Sequence, residues 1–202
     1  MPIFTPSLSP EQQAVISRTL LGTRSFLPAS LANRGAVPRT LTLPHRVFTV
    51  RLDALAEGRP LAEIAEPVGW RVLVEEDEKV VASAELRDRS ALGTSIPQTA
   101  VITRGPLVQG TVAAVLVAEQ EESVREQDLE LRFVHVPGLH IAVLWLSPRS
   151  GSGLIVPISP LPATLDAGRV YDIDEFSQRL TELARNAVER LSDAERPELL
   201  GG

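Results

Sequence analysis

Residues 129–146 read LELRFVHVPGLHIAVLWL, two apolar runs broken by Pro137-Gly138. Apolar residues at 129, 131 and 133 alternate with polar ones at 130 and 132, the period of a strand with one face in a core. Proline and glycine between two such runs mark a turn. The expected element is a hairpin of strands 129–136 and 139–146, with Val136 opposite Leu139 and His135 directly opposite His140. In that register Leu129, Leu131, Phe133, Ala142, Leu144 and Leu146 share the histidine face, and facing Cβ atoms lie about 4.5–5.5 Å apart. The two imidazoles would then stand at the rim of an apolar surface.

Outward from this hairpin the pattern continues in both directions. Gly153 to Ile158 reads as a third strand after the Ser150-Gly151-Ser152-Gly153 loop. Beyond it, Asp172 and Glu175 make a capping box, and Phe176, Leu180, Leu183, Ala184, Ala187, Val188 and Leu191 recur at helical spacing. Upstream, Leu107 to Glu122 reads as a largely buried helix. Trp70–Val74 and Val80–Leu86 flank the acidic turn Glu75–Glu78 as a hairpin, His45–Leu52 has strand composition, and Pro60–Ala65 suits a helical turn. At the N-terminus Ser9 can cap, Pro10 fits the first helical position and Gln12 completes the box, for a helix ending near Gly22. No internal repeat is visible.

This order predicts an α+β fold: a mostly antiparallel sheet of about five to six strands with helices packed on one face, plus an extended N-terminal arm. The expected organisation is an N-terminal helix and Pro/Gly-containing basic arm over 1–44, a single core domain over 45–192, and a flexible acidic tail over 193–202. A chain of 202 residues is long enough for one well-buried core and short for two.

Charge is unevenly spread. The first 51 residues hold Arg18, Arg24, Arg34, Arg39, Arg46 and Arg51 against the single acid Glu11, while the whole chain has a formal net charge of −6. The arm also carries Phe26, Leu27 and Leu31, too apolar for a purely solvated tether. Arg18, Arg24, Phe26, Leu31, Arg34 and Arg39 are therefore the candidate interaction surface, docking on an acidic protein surface of a partner or a second copy. The arginines are dispersed and lack aromatic interleaving, so nucleic acid is not the expected partner. No run reaches the roughly 18 apolar residues of a membrane helix, and no charged start precedes an apolar stretch, so no membrane association and a cytoplasmic location are expected. Lys79 is the only lysine, the usage of a GC-rich bacterial genome.

Chemistry is sparse. Zero cysteines remove disulfides, thiolate metal sites and a cysteine nucleophile. The chain contains no phosphate-binding loop, no dinucleotide fingerprint and no zinc helix, and neither a cofactor nor a metal is expected. Gly151-Ser152-Gly153 precedes a strand rather than a helix, which is loop chemistry and not a nucleophile elbow. Glu75–Glu78 lacks the spaced ligands of a calcium loop. Gly201-Gly202 matches the ends of ubiquitin-like carriers in two residues only. The resulting expectation is a non-catalytic adaptor, accessory or assembly component acting through its arm. The alternatives are a small enzyme or a metal- or ligand-binding protein with its site at His135 and His140, and a nucleic-acid accessory protein.

Overall fold

The computed structural model describes residues 3–24, 39–87, 99–150 and 153–194. Its strands are β1 (Ile3–Phe4), β2 (Arg39–Thr49), β3 (Glu66–Glu76), β4 (Lys79–Arg87), β5 (Val101–Thr103), β6 (Leu129–Val136), β7 (Ile141–Pro148), β8 (Leu154–Ile158) and β9 (Tyr171–Asp172). The α-helices are α1 (Pro10–Arg24), α2 (Leu52–Ala56), α3 (Leu61–Ile64), α4 (Pro106–Gln120), α5 (Glu122–Arg125) and α6 (Ile173–Ala194).

Among the described residues all nine strands join one sheet, in the order β5-β4-β3-β2-β6-β7-β8-β9, with β1 paired to β6 off that path. The order has a plan. β2 to β5 form one antiparallel meander followed by α4, and β6 to β9 form a second followed by α6. The meanders meet where β2 and β6 run parallel, Arg46 beside Arg132 and Thr49 beside His135. α4 packs on the face of Leu131 and Phe133, α6 on the opposite face of Val134 and Val136. Each meander is thus followed by one helix, and the two helices lie on opposite faces of the sheet.

The sheet is larger than the expected five to six strands, because β1, β5 and β9 span only two or three residues and carry no readable period. Helices also cover both faces, not one. On one face α1 seats Val15, Ile16 and Leu20 against Val72, Val74 and Ala84, while α2, α3 and α6 cover Val134, Val143 and Ile155. On the other face lie α4 and Val124 of α5. Strands β6 to β8 are thus apolar on both faces, the signature of a sheet centre covered on each side.

Local chemistry explains the boundaries. Ser9 N donates to Gln12 Oε1 at 2.9 Å and Gln12 N to Ser9 Oγ at 3.2 Å, the reciprocal cap expected of α1. Asp77 and Glu78 both take positive φ, 49° and 60°, which gives the β3–β4 hairpin a two-residue turn whose twist matches its strands. At the head of α6, Asp174 N donates to Asp172 Oδ1 at 2.8 Å. No helix among the described residues is long and apolar enough to cross a membrane.

The β6–β7 hairpin forms with a different register. Pro137–Leu139 make a 3-10 turn closed by His140 N donating to Pro137 O at 3.1 Å, and His140 sits in the left-handed region. Val136 therefore pairs with Ile141 and His135 with Ala142. His140 lies outside the ladder, so the expected His135–His140 pair is corrected. The Pro-Gly twist that suits a tight hairpin poorly is absorbed by two further residues. The shift is even, so every apolar residue stays on its expected face.

Candidate functional site

The β2–β3 connection is long, the β6–β7 connection short, and the difference shapes the molecule. Between β2 and β3 the chain forms α2 and α3, whose Leu55, Leu61 and Ile64 are buried beneath α6. Leu61 N donates to Ser177 Oγ of α6 at 3.2 Å, and Arg185 Nε of α6 donates to Ala56 O at 3.0 Å. The β6–β7 connection, only Pro137–His140, packs on that same side, Leu139 against the α6 cluster and Gly138 beside Leu52 of α2. On the opposite face a cleft of about 610 Å³ opens beside Leu107 of α4. Val47, Phe133 and Leu107 form apolar walls, while Glu85, Arg87 and His135 bring charge and a titratable ring. A volume of this order suits a drug-sized ligand or a short peptide segment.

Gly69 lets the cleft close at its base. It pairs with Val47 on one side and Arg87 on the other, and a Cβ there would stand 2.0 Å from Leu86 O. Only a residue without a side chain fits that approach.

Behind the cleft wall, under α4, lies a buried polar row. His45 of β2 pairs with Arg71 of β3, and Arg71 with Glu85 of β4. His45 and Arg71 are both 0% exposed. The Arg71 guanidinium lies 4.3 Å from the Phe133 ring centre, and its Nη1 is 3.5 Å from Glu85 Oε1. Neither Nε nor either Nη has a hydrogen-bond partner, and the same holds for Ser83 Oγ and His45 Nε2. Burial pulls the Arg71 pKa down and Glu85 pulls it back up.

His45 owes its place to an irregularity in β2. A register break between Thr42 and His45, with Leu43 at φ 48°, turns the Leu43 carbonyl onto the ring. Nδ1–H donates to Leu43 O at 2.6 Å, leaving Nε2 as a lone-pair acceptor. Burial lowers the His45 pKa to about 4, outweighing the Leu43 bond that raises it. His45 is therefore neutral at pH 7.

A buried guanidinium with one long ion pair costs desolvation energy that its partner does not return. Replacing both partners, as in R71M/E85L, is accordingly expected to leave stability unchanged or raise it by up to about 4 kcal/mol. Urea unfolding at pH 7 measures this, and a loss of more than about 3 kcal/mol would show that the pair holds the fold together.

The residues singled out from sequence land in different places. His135 lines the cleft; partial burial lowers its pKa and Glu85 opposes that. His140 is exposed in the turn. Among the described residues no group of three histidine or carboxylate side chains is placed to hold a metal ion. Arg18 is exposed on α1, and Arg24 ends that helix. Arg39 begins β2, six positions before the expected strand, where it pairs with Glu76 and donates from Nη1 to Leu20 O at 3.1 Å. Phe26, Leu31 and Arg34 lie outside the described residues. Arg71, Glu85, Ser83 and Gly69 escaped the sequence reading, although Arg71 within WRVLV was a visible signal: a cation inside an apolar strand run. No protein-family model, curated protein or solved structure matches the chain.

Proposed function

We propose that this chain is a non-catalytic interaction protein whose cleft beside α4 holds a short apolar segment of a partner polypeptide. One observation carries the reading. A cleft lined by Val47, Phe133 and Leu107 opens on the α4 face, at the end of the sheet that α2 and α3 cover on the α6 face. The partner segment supplies from outside what the β2–β3 connection supplies from within. Its apolar side chains meet Val47, Phe133 and Leu107, and the edge residue Val101, 54% exposed, flanks the opening.

This moves the interaction from the basic arm to the body. The described part of the arm is engaged with its own sheet: α1 packs through Val15, Ile16 and Leu20, and Arg39 is paired with Glu76. Arg18 stays exposed on α1 and is proposed as a secondary contact for an acidic partner surface. A metal or catalytic site at His135 and His140 has less support, since the ladder sets His135 against Ala142.

Photo-crosslinking in native cells tests the reading. A photoreactive residue at position 101 should yield one discrete adduct whose mapped peptide is an apolar segment. The same group at Leu191, exposed on α6, should not. Equal adducts from both positions, or none from position 101, would refute it.

A further inference from the structure

The inference rests on the cleft reading and names what the cleft recognises. We propose that Arg71 is a carboxylate-recognition residue, and that an acidic side chain of the partner segment displaces Glu85 to pair with it. Two walls of the cleft are the residues that touch Arg71: Phe133, which stacks on the guanidinium, and Glu85, its ion-pair partner. Glu85 thus stands between the cleft and the cation.

Glu85 holds that position weakly. At 3.5 Å its oxygen is beyond a good charge-assisted hydrogen bond, which spans about 2.7–2.9 Å. Its side chain keeps 24% of its exposure, so it can turn to water, whereas Arg71 has none. The guanidinium offers five N–H donors in a rigid fork, and its three nitrogens bond to no acceptor. Ser83 Oγ is a further buried group without a partner on the same face. A carboxylate entering along the apolar wall can take two parallel N–H bonds from the fork, the geometry in which guanidinium and carboxylate bind best.

Carboxylate is the group the geometry selects. Glu85 is itself the resident carboxylate, so exchanging one for another leaves the buried charge balance unchanged. Arg71 is the only cation of the row, because His45 is neutral with its Nε2 an acceptor. A doubly charged phosphate would therefore bring excess negative charge into a buried site. Val47 and Leu107 fit the apolar residues that flank the acid.

Calorimetric titration of the full chain tests this with two kinds of probe. One is hexanoate against 1-hexanol. The other is an end-blocked apolar peptide bearing a single glutamate against its glutamine twin. Hexanoate and the glutamate peptide should each bind at least ~10-fold more tightly than their neutral counterparts. The E85Q variant, lacking the competing charge, should bind the glutamate peptide at least ~10-fold more tightly than the parent, and R71M at least ~10-fold more weakly. Hexanoate binding without discrimination between the peptides would assign the site to a free acid and overturn the partner claim. Unchanged or weaker binding by E85Q overturns the proposal even if R71M fails to fold. A partner segment that crosslinks at position 101 yet binds E85Q and the parent equally would remove Arg71 as the anchor and leave the cleft reading standing.

Discussion

Replacing Gly69 with alanine is expected to cost about 3 kcal/mol or more of unfolding free energy, the upper range for forcing extra volume into a packed site. The added Cβ would stand 2.0 Å from Leu86 O and 3.0 Å from Arg87 Cα. Both atoms belong to the neighbouring strand backbone, so no rotamer change relieves the clash. β3 and β4 must separate where Gly69 pairs with Arg87, and the base of the cleft separates with them. Gly22 is the control. It is exposed on α1, and a Cβ added there would meet nothing within 4 Å, so G22A should gain up to ~1 kcal/mol from helix propensity. Urea titrations of both variants measure the contrast. A G69A protein within ~1 kcal/mol of the parent would mean the two strands do not approach this closely.

The second large effect is a dependence of stability on pH set by His45. Its pKa is about 4 in the folded chain and near 6.5 when solvated. Between those values the unfolded chain binds the proton and the folded chain does not, so stability rises with pH across this window. The contribution is complete above pH 6.5 and is lost as pH falls toward 4, amounting to about 3 kcal/mol at 1.36 kcal/mol per unit. Charging the ring would strip it of water and set a second cation beside Arg71, and these two costs together outweigh the Leu43 bond. Unfolding free energies at pH 7 and pH 4.5 for the parent and H45Q should differ in slope, the variant being flatter. Equal slopes would show that His45 does not stay neutral in the fold.

These effects converge on the residues least visible in the sequence. The apolar parity of β6 and β7 was legible because a two-residue change of register leaves every side chain on its face. The same change removed His140 from its expected place opposite His135. Caps and turns were legible because Ser9, Gln12 and the Glu75–Glu78 segment act on their own neighbours. The pairing of two meanders was not. It resides in strand order, while the two share no pattern of residues and differ in the length of their first connections. Parallel pairing of β2 with β6 joins residues 86 positions apart, set by packing and not by local chemistry. Nothing local to WRVLV tells which face Arg71 takes; α4 folding over that face buries it.

The cleft itself follows from an asymmetry. The β2–β3 connection carries α2 and α3, which cover Val134, Val143 and Ile155 on the α6 face, while the β6–β7 connection is a tight turn on that same side. A partner segment restores the balance, which makes partner affinity the most direct measurement. With the segment identified by crosslinking at position 101, its affinity for the parent, V101E and L191E should be compared by calorimetry. Val101 and Leu191 are about equally exposed, at 54% and 57%, so neither change should disturb the fold. At least a ~10-fold loss is expected for V101E and none for L191E. Equal affinities for all three proteins would rule out docking of the partner in the cleft.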